Sequence, residues 1–254
     1  MTRTVGVRLA VCTLVVGGAF ALAAFEPTAS AQGRGAAGPS YRVEPLWPQP
    51  LPNHWILGSI TGVAVDAQDH VWVVHRGADS LEAAERHMTE SPPASSICCT
   101  PAPFVLEFDS AGKLLSNFGG PGAGYQWPQS PGALAVDANG NVWITAAGLE
   151  PAPPGTGRGR GQAPPPAAAA PPDAHVLKFS RTGRFLLQIG QPGKMDGPES
   201  QTTLSRPAAV AVDAAANEVY VADTGNRRIV VFDANSGAYK RHWGAYGAKP
   251  GDAP

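Results

Sequence analysis

Three stretches of the chain repeat one phrase. Val63–Trp72 reads VAVDAQDHVW, Ala133–Trp143 reads ALAVDANGNVW and Val210–Tyr220 reads VAVDAAANEVY. A phrase that recurs at this spacing marks a unit that is copied and stacked, and that constrains the fold more than any composition figure. Each copy heads four short apolar runs. The first two are Val63–Asp66 and Val71–Val74, Leu134–Asp137 and Val142–Thr145, Val210–Asp213 and Val219–Ala222. The third runs are FVLEF at 104–108, VLKF at 176–179 and IVVF at 229–232, and the fourth are 114–118, 185–189 and 239–243.

Runs this short, rich in Val, Ile and aromatic residues, are strands. Asn139-Gly140 supplies the positive φ of a hairpin turn, and Gly112, Gly183 and Gly237 punctuate the later turns. Each copy therefore reads as one four-stranded antiparallel meander. The runs are apolar on both faces, so each sheet needs a neighbour on both sides. Four-stranded sheets stacked about an axis make an all-β fold, the β-propeller. Ala64, Ala135 and Ala211 suit the crowded inner strand, while Trp72, Trp143 and Tyr220 fill the wider space outside it.

The blades are placed at 60–119, 130–190 and 206–244, after a lead-in segment at 32–59 that lacks the repeat. Gly244–Pro254 (GAYGAKPGDAP) resembles the linkers that follow the earlier blades. Three blades close no ring and would leave an apolar sheet face open at both ends. The expectation is a sequence truncated at its C-terminus, with pairing of two copies into a six-bladed ring as the alternative.

Residues 1–31 have the layout of a secretory signal peptide, with Arg3 and Arg8, an apolar run from Leu9 to Phe25 and Ala29-Ser30-Ala31 before Gln32. The chain is expected to be secreted or periplasmic, with no membrane span once that peptide is cleaved. Nineteen basic against 20 acidic residues argue against a nucleic-acid partner. Cys98 and Cys99 are adjacent and form either a vicinal disulfide or a pair of loop thiols.

In an up-and-down meander, the loop from second to third strand shares one end of the ring with the inter-blade linkers. Blade three crosses there in Asp223–Arg227, whereas blades one and two carry the insertions 76–103 and 148–174. Function concentrates in such loops. The Pro/Ala/Gly-rich segment 150–174 reads as a disordered spacer. His75 stands on the strand end where the first insertion begins, and the insertion holds Arg76, Glu82, Glu85 and His87, of which Arg76 and His87 are the candidates for ligand binding. The partner is expected to be a small ligand, peptide or protein on this loop-bearing face. No Gly-x-Ser-x-Gly, Walker loop, His-Glu-x-x-His or Cys-x-x-Cys is present.

Gly225–Phe232 (GNRRIVVF) resembles the signature of NHL-repeat propellers. More narrowly, Trp47-Pro48 through Gly58, then Gly62–Asp66 and His75-Arg76-Gly77, resemble peptidyl-alpha-hydroxyglycine alpha-amidating lyases and their exported bacterial relatives. The resemblance implies six blades around a zinc held by three histidines, the first of them in a Pro-His-x-x-x-x-Asp phrase. Here that phrase is Pro131-Gly132-Ala133-Leu134-Ala135-Val136-Asp137, so Gly132 stands at the ligand position. The family's Asp-Gly-Tyr phrase, which carries its catalytic tyrosine, becomes Asp223-Thr224-Gly225-Asn226 without a tyrosine. Arg76 matches the arginine that holds the substrate carboxylate, and His75 precedes it. No cofactor is expected from these residues; zinc or calcium would enter only with a longer form. The function this implies is an exported binding scaffold, and the alternative is a lyase-like zinc enzyme with a carbon–nitrogen lyase activity. A sugar-lactone hydrolase has no residue in its favour.

Overall fold

The aspartate that closes each repeated phrase explains why the phrase exists. Asp66 Oδ1 accepts the backbone N–H groups of Gln68 and His70 at 2.9 and 3.0 Å. Asp137 Oδ1 accepts those of Asn139 and Asn141, both at 2.9 Å, and Asp213 Oδ1 those of Ala215 and Ala216 at 2.8 and 3.0 Å. Such a carboxylate replaces the strand ladder at the hairpin tip and starts the turn. The second oxygen is used as well. Asp66 Oδ2 accepts the indole N–H of Trp72 at 3.0 Å, and Asp137 Oδ2 that of Trp143 at 3.2 Å. A buried indole needs an acceptor, and the Asp six residues earlier provides it.

The structure is a computed structural model that describes residues 40–81, 85, 99–148 and 172–244. The expected signal peptide, His87, Cys98 and most of the Pro/Ala/Gly insertion lie outside the described residues. Among those described, no helix is long and apolar enough to cross a membrane.

Two strands of two residues, β1 (Trp55–Ile56) and β4 (Thr100–Pro101), pair in parallel. The other strands form three separate four-stranded antiparallel sheets. The first holds β2 (Ile60–Val65), β3 (Val71–His75), β5 (Val105–Phe108) and β6 (Leu114–Phe118). The second holds β7 (Pro131–Val136), β8 (Val142–Ala146), β9 (His175–Phe179) and β10 (Phe185–Gly190). The third holds β11 (Pro207–Asp213), β12 (Glu218–Asp223), β13 (Arg228–Asp233) and β14 (Tyr239–Gly244). Strand β7 lies against both β2 and β11, so the first strands share the axis and the sheets stack as blades. The fold is an all-β propeller arrangement of four-stranded antiparallel blades, as the repeat predicts, with three blades among the described residues.

The second-strand aromatic of blades one and two faces the next blade. Trp72, Val105 and Phe118 pack with Leu134, Val142, Ile144, Leu177 and Phe179 at the first junction. Trp143, Val176 and Ile189 pack with Val219, Val221, Val230 and Phe232 at the second. Gly62 permits the close approach of the inner strands: a Cβ there would lie 2.7 Å from Leu134 N and 3.0 Å from the carbonyl oxygen of Gly132.

Charge crosses each junction in opposite directions. The residue paired with the second-strand aromatic is Glu107 in blade one, Lys178 in blade two and Val231 in blade three. At the first junction Arg181, in the β9–β10 turn, reaches over the Trp72 ring at 5.3 Å and pairs with Asp66 Oδ2 at 2.9 Å and with Glu107. At the second, Lys178 lies 4.8 Å over Trp143 and donates to the carbonyl oxygen of Ala234, the residue that matches Arg181 in blade three. Burial opposes ionisation of Asp66, but the bonds from Trp72, His70 and Gln68 and the charge of Arg181 outweigh it and bring its pKa to about 2.

The two terminal faces are not alike. The expectation of two open faces is corrected for blade one, whose outer face (Val73, Leu106, Phe108) is covered by Trp47, Leu51, Trp55 and Leu57 of the lead-in. The reason is chemical: this lead-in is rich in large apolar groups, and burying them there removes both surfaces from water. On blade three Tyr220, Ile229 and Trp243 occupy the positions that the other blades bury at their junctions, and Trp243 is exposed.

Arg181→Met should leave two buried carboxylates without their cation and lower stability by about 2 kcal/mol in urea unfolding. Adding Glu107→Gln should recover part of that loss. Strict additivity of the two losses would show that the ion pair does not hold the junction.

Candidate functional site

At the loop-bearing end, each blade fastens its incoming linker with a buried polar side chain. In blade one this is His75, fully buried at the end of β3. Its Nδ1 accepts the backbone N–H groups of Gly58 and Gly77 at 3.0 and 3.1 Å. Two donors at Nδ1 place the ring proton on Nε2, which donates to the carbonyl oxygen of Pro103 at 2.8 Å. Burial lowers the pKa of His75 despite that last bond, which acts in the other direction. Both nitrogens are spent on backbone, so the side chain ties loops together.

In blade three the same task falls to an ion pair. Asp223, at the β12 position that matches His75, accepts the backbone N–H of Ser205, the side-chain N–H of Asn226 at 2.8 Å and Arg228 Nε at 2.8 Å. Arg228 is buried and donates onward to the carbonyl oxygens of Pro198, Ser200 and Thr203. A carboxylate and a guanidinium removed from water together satisfy each other.

Blade two uses Asp173 and His175. Asp173 is 3% exposed, and its two oxygens accept the backbone N–H groups of Gln129 at 3.0 Å and Ser130 at 2.8 Å. His175 begins β9 as Arg228 begins β13, and its Nε2 donates to the carbonyl oxygen of Gln126 at 2.8 Å. Its Nδ1 is buried without a partner. Burial lowers the pKa of His175, against the opposing effects of the Gln126 bond and the Asp173 charge.

These bonds shape a pocket of about 290 Å3 between the blade-one to blade-two linker and the start of β9. Pro121, Tyr125, Gln126, Trp127, Asp173 and Pro192 line it. Tyr125 stacks on Phe185 at 4.9 Å and meets Phe179 edge-on, and Trp127 packs on Phe104 at 5.0 Å. The Tyr125 hydroxyl donates to the carbonyl oxygen of Gly120, and burial raises its pKa. Trp127 Nε1 is buried with no partner. Residues 119–132, which lie between the first two blades and look like a plain linker in sequence, supply Tyr125 and Trp127 to this site. Its signal was present: two aromatic residues stand among otherwise small, polar and proline residues.

Of the residues singled out from sequence, only some lie among the described residues. Arg76 follows β3, and its Nε is buried without a hydrogen-bond partner. Glu85 is exposed, while His87 and Glu82 lie outside the described residues. Cys99 is disulfide-bonded, to a partner outside the described residues. At Gly132 a Cβ would lie 2.5 Å from Thr145 Oγ1 and 2.8 Å from Ala147 Cβ. That position offers a metal no ligand and leaves no room for one, so the described residues do not fit the zinc that the lyase resemblance implies. Asp66, His70 and Glu107 do come together at the opposite end of blade one. Arg181 Nη2 occupies that cluster, 2.9 Å from Asp66 Oδ2 and 2.6 Å from His70 Nδ1, and supplies the positive charge there.

Residues 204–232 match the NHL repeat family. That segment runs from just before β11 through most of β13. No curated protein matches the chain by sequence. Solved structures similar to it include virginiamycin B lyase from Staphylococcus aureus, 12% identical with a TM-score of 0.40, over 76% of this chain and 43% of that one. A gluconolactonase from Xanthomonas campestris is 20% identical with a TM-score of 0.42, over 74% of this chain and 49% of that one. The chain spans less than half the length of either structure.

Two substitutions check this geometry. His75→Ala should cost about 2 kcal/mol at pH 7.5 by orphaning two buried backbone N–H groups and the partly buried Pro103 carbonyl. His75 and His175 both have folded pKa values below the ordinary 6.5, so the unfolded chain takes up more protons on acidification. Their contribution is therefore complete above that pH and is lost as pH falls below it, and His75→Ala should flatten the decline in melting temperature between pH 7 and 5. Gly132→Ala should lower stability by about 1–3 kcal/mol through overpacking against Thr145, measured by the shift in urea midpoint.

Proposed function

We propose that this chain is an exported binding scaffold that takes a ligand in the pocket at its loop-bearing end, beneath the linker 119–130. The observation that carries this reading is the pocket itself: two aromatic rings and a carboxylate fixed by buried hydrogen bonds at the end where the loops gather. Small-molecule sites have this character, mostly apolar walls with a few placed polar groups. Its volume, about 290 Å3, suits a small molecule or one side chain of a peptide.

The second reading, an amidating-lyase-like zinc enzyme, has one observation in its favour. Arg76 stands at the strand end with an unpartnered Nε and would suit a substrate carboxylate. Gly132 counts against it. Saturable turnover of a hydroxyglycine peptide by the purified protein, with one zinc retained per chain, would replace the first reading with the second.

Thermal-shift screening of the full chain against small metabolites and short peptides tests the binding role. A ligand should raise the melting temperature saturably and quench tryptophan fluorescence, and Tyr125→Leu should weaken it by about tenfold. A ligand bound equally well by the Tyr125→Leu and Trp127→Leu variants would place the site elsewhere.

A further inference from the structure

Blades two and three fasten their incoming linkers with the same kind of carboxylate, and among the described residues only one of the two is paired with a cation. Asp223 is paired with Arg228 at 2.8 Å. Asp173, just as deeply buried, has at the matching β9 position His175, which burial favours as the neutral ring and whose bonded nitrogen is turned to Gln126. No cationic side chain among the described residues pairs with Asp173, and no lysine or arginine is found among the residues that line its pocket. A carboxylate withdrawn from water without a counter-charge is costly, and this one borders an open space rather than packed side chains.

We infer that this pocket takes a donor-free organic cation, a trimethylammonium-type group, whose charge compensates Asp173 and whose methyl groups pack on Tyr125 and Trp127. The inference rests on the binding role proposed above and names its ligand class. Two features separate this cation from others. Both Asp173 oxygens already accept a backbone N–H and the group is almost wholly buried, so the paired N–H donors of a guanidinium find no free carboxylate edge. A quaternary ammonium needs only field and aromatic surface, and Tyr and Trp walls provide the latter.

Calorimetric titration of the full chain with choline and with tetramethylammonium tests this, against the uncharged isostere 3,3-dimethylbutan-1-ol and against methylguanidinium. Both ammonium ions should bind saturably, at least about tenfold tighter than the isostere and tighter than methylguanidinium. Gln126→Lys, which sets a fixed cation at the pocket wall from an exposed position, should abolish ammonium binding without lowering the melting temperature. Asp173→Asn should remove the preference for charge, and Gln126→Lys covers the case in which the Asn variant fails to fold. Co-sedimentation with phosphatidylcholine vesicles separates the two sources of such a group. Sedimentation that choline reverses points to a lipid headgroup, and binding of choline without sedimentation points to a free metabolite. Equal binding of the isostere, or tighter binding of methylguanidinium, overturns the cation class while the pocket stays a ligand site. Failure of every probe to bind, together with no ligand in the thermal-shift screen, overturns the binding role as well.

Discussion

A sheet that is apolar on both faces is unstable by itself, and everything else in this molecule follows from that. Trp72 and Trp143 can be buried only because the next blade supplies a wall, and that wall carries its own apolar residues on the reverse side. The hydrophobic effect stacks the blades but sets no order, because one Val-rich sheet is much like another. Direction comes from polar groups placed inside the apolar seams. The Asp of each repeated phrase starts a turn, and in blades one and two it also holds the ring N–H of the tryptophan, which fixes the aromatic at the junction.

The loop-bearing end is built on different chemistry. Three linkers must be held against three sheets, and each is held through backbone N–H and C=O groups by a side chain removed from solvent. A neutral imidazole does this in blade one, a carboxylate with an imidazole in blade two and a carboxylate with a guanidinium in blade three. Only the last is balanced in charge within the described residues. The site of interest therefore arises at the place where a structural device is electrostatically incomplete.

Much of the fold was legible because it rests on local signals. Alternating short runs, Asn139-Gly140 and the repeated Asp report strand, turn and strand without reference to anything distant. The candidate site was not legible for the opposite reason. Tyr125 and Trp127 stand in a segment whose glycines and prolines mark it as a linker, and Asp173 stands at the end of a low-complexity insertion. Only the antiparallel return of β9 beside β8 brings them together. His75 was legible as a histidine at a strand end, but what distinguishes a ligand from a tie is where its two nitrogens point, and that depends on Gly58, Gly77 and Pro103 at once.

The crossing of charge at the junctions has a consequence for how such a chain could be rearranged. Blade one offers an acid to its successor and receives Arg181; blade two offers Lys178 and receives a backbone carbonyl. The blades thus carry addresses as well as surfaces. A rearrangement that preserved each neighbour would keep every address matched, whereas exchanging blades two and three would set Glu107 against an alanine. Although the repeats look alike, they are not interchangeable parts.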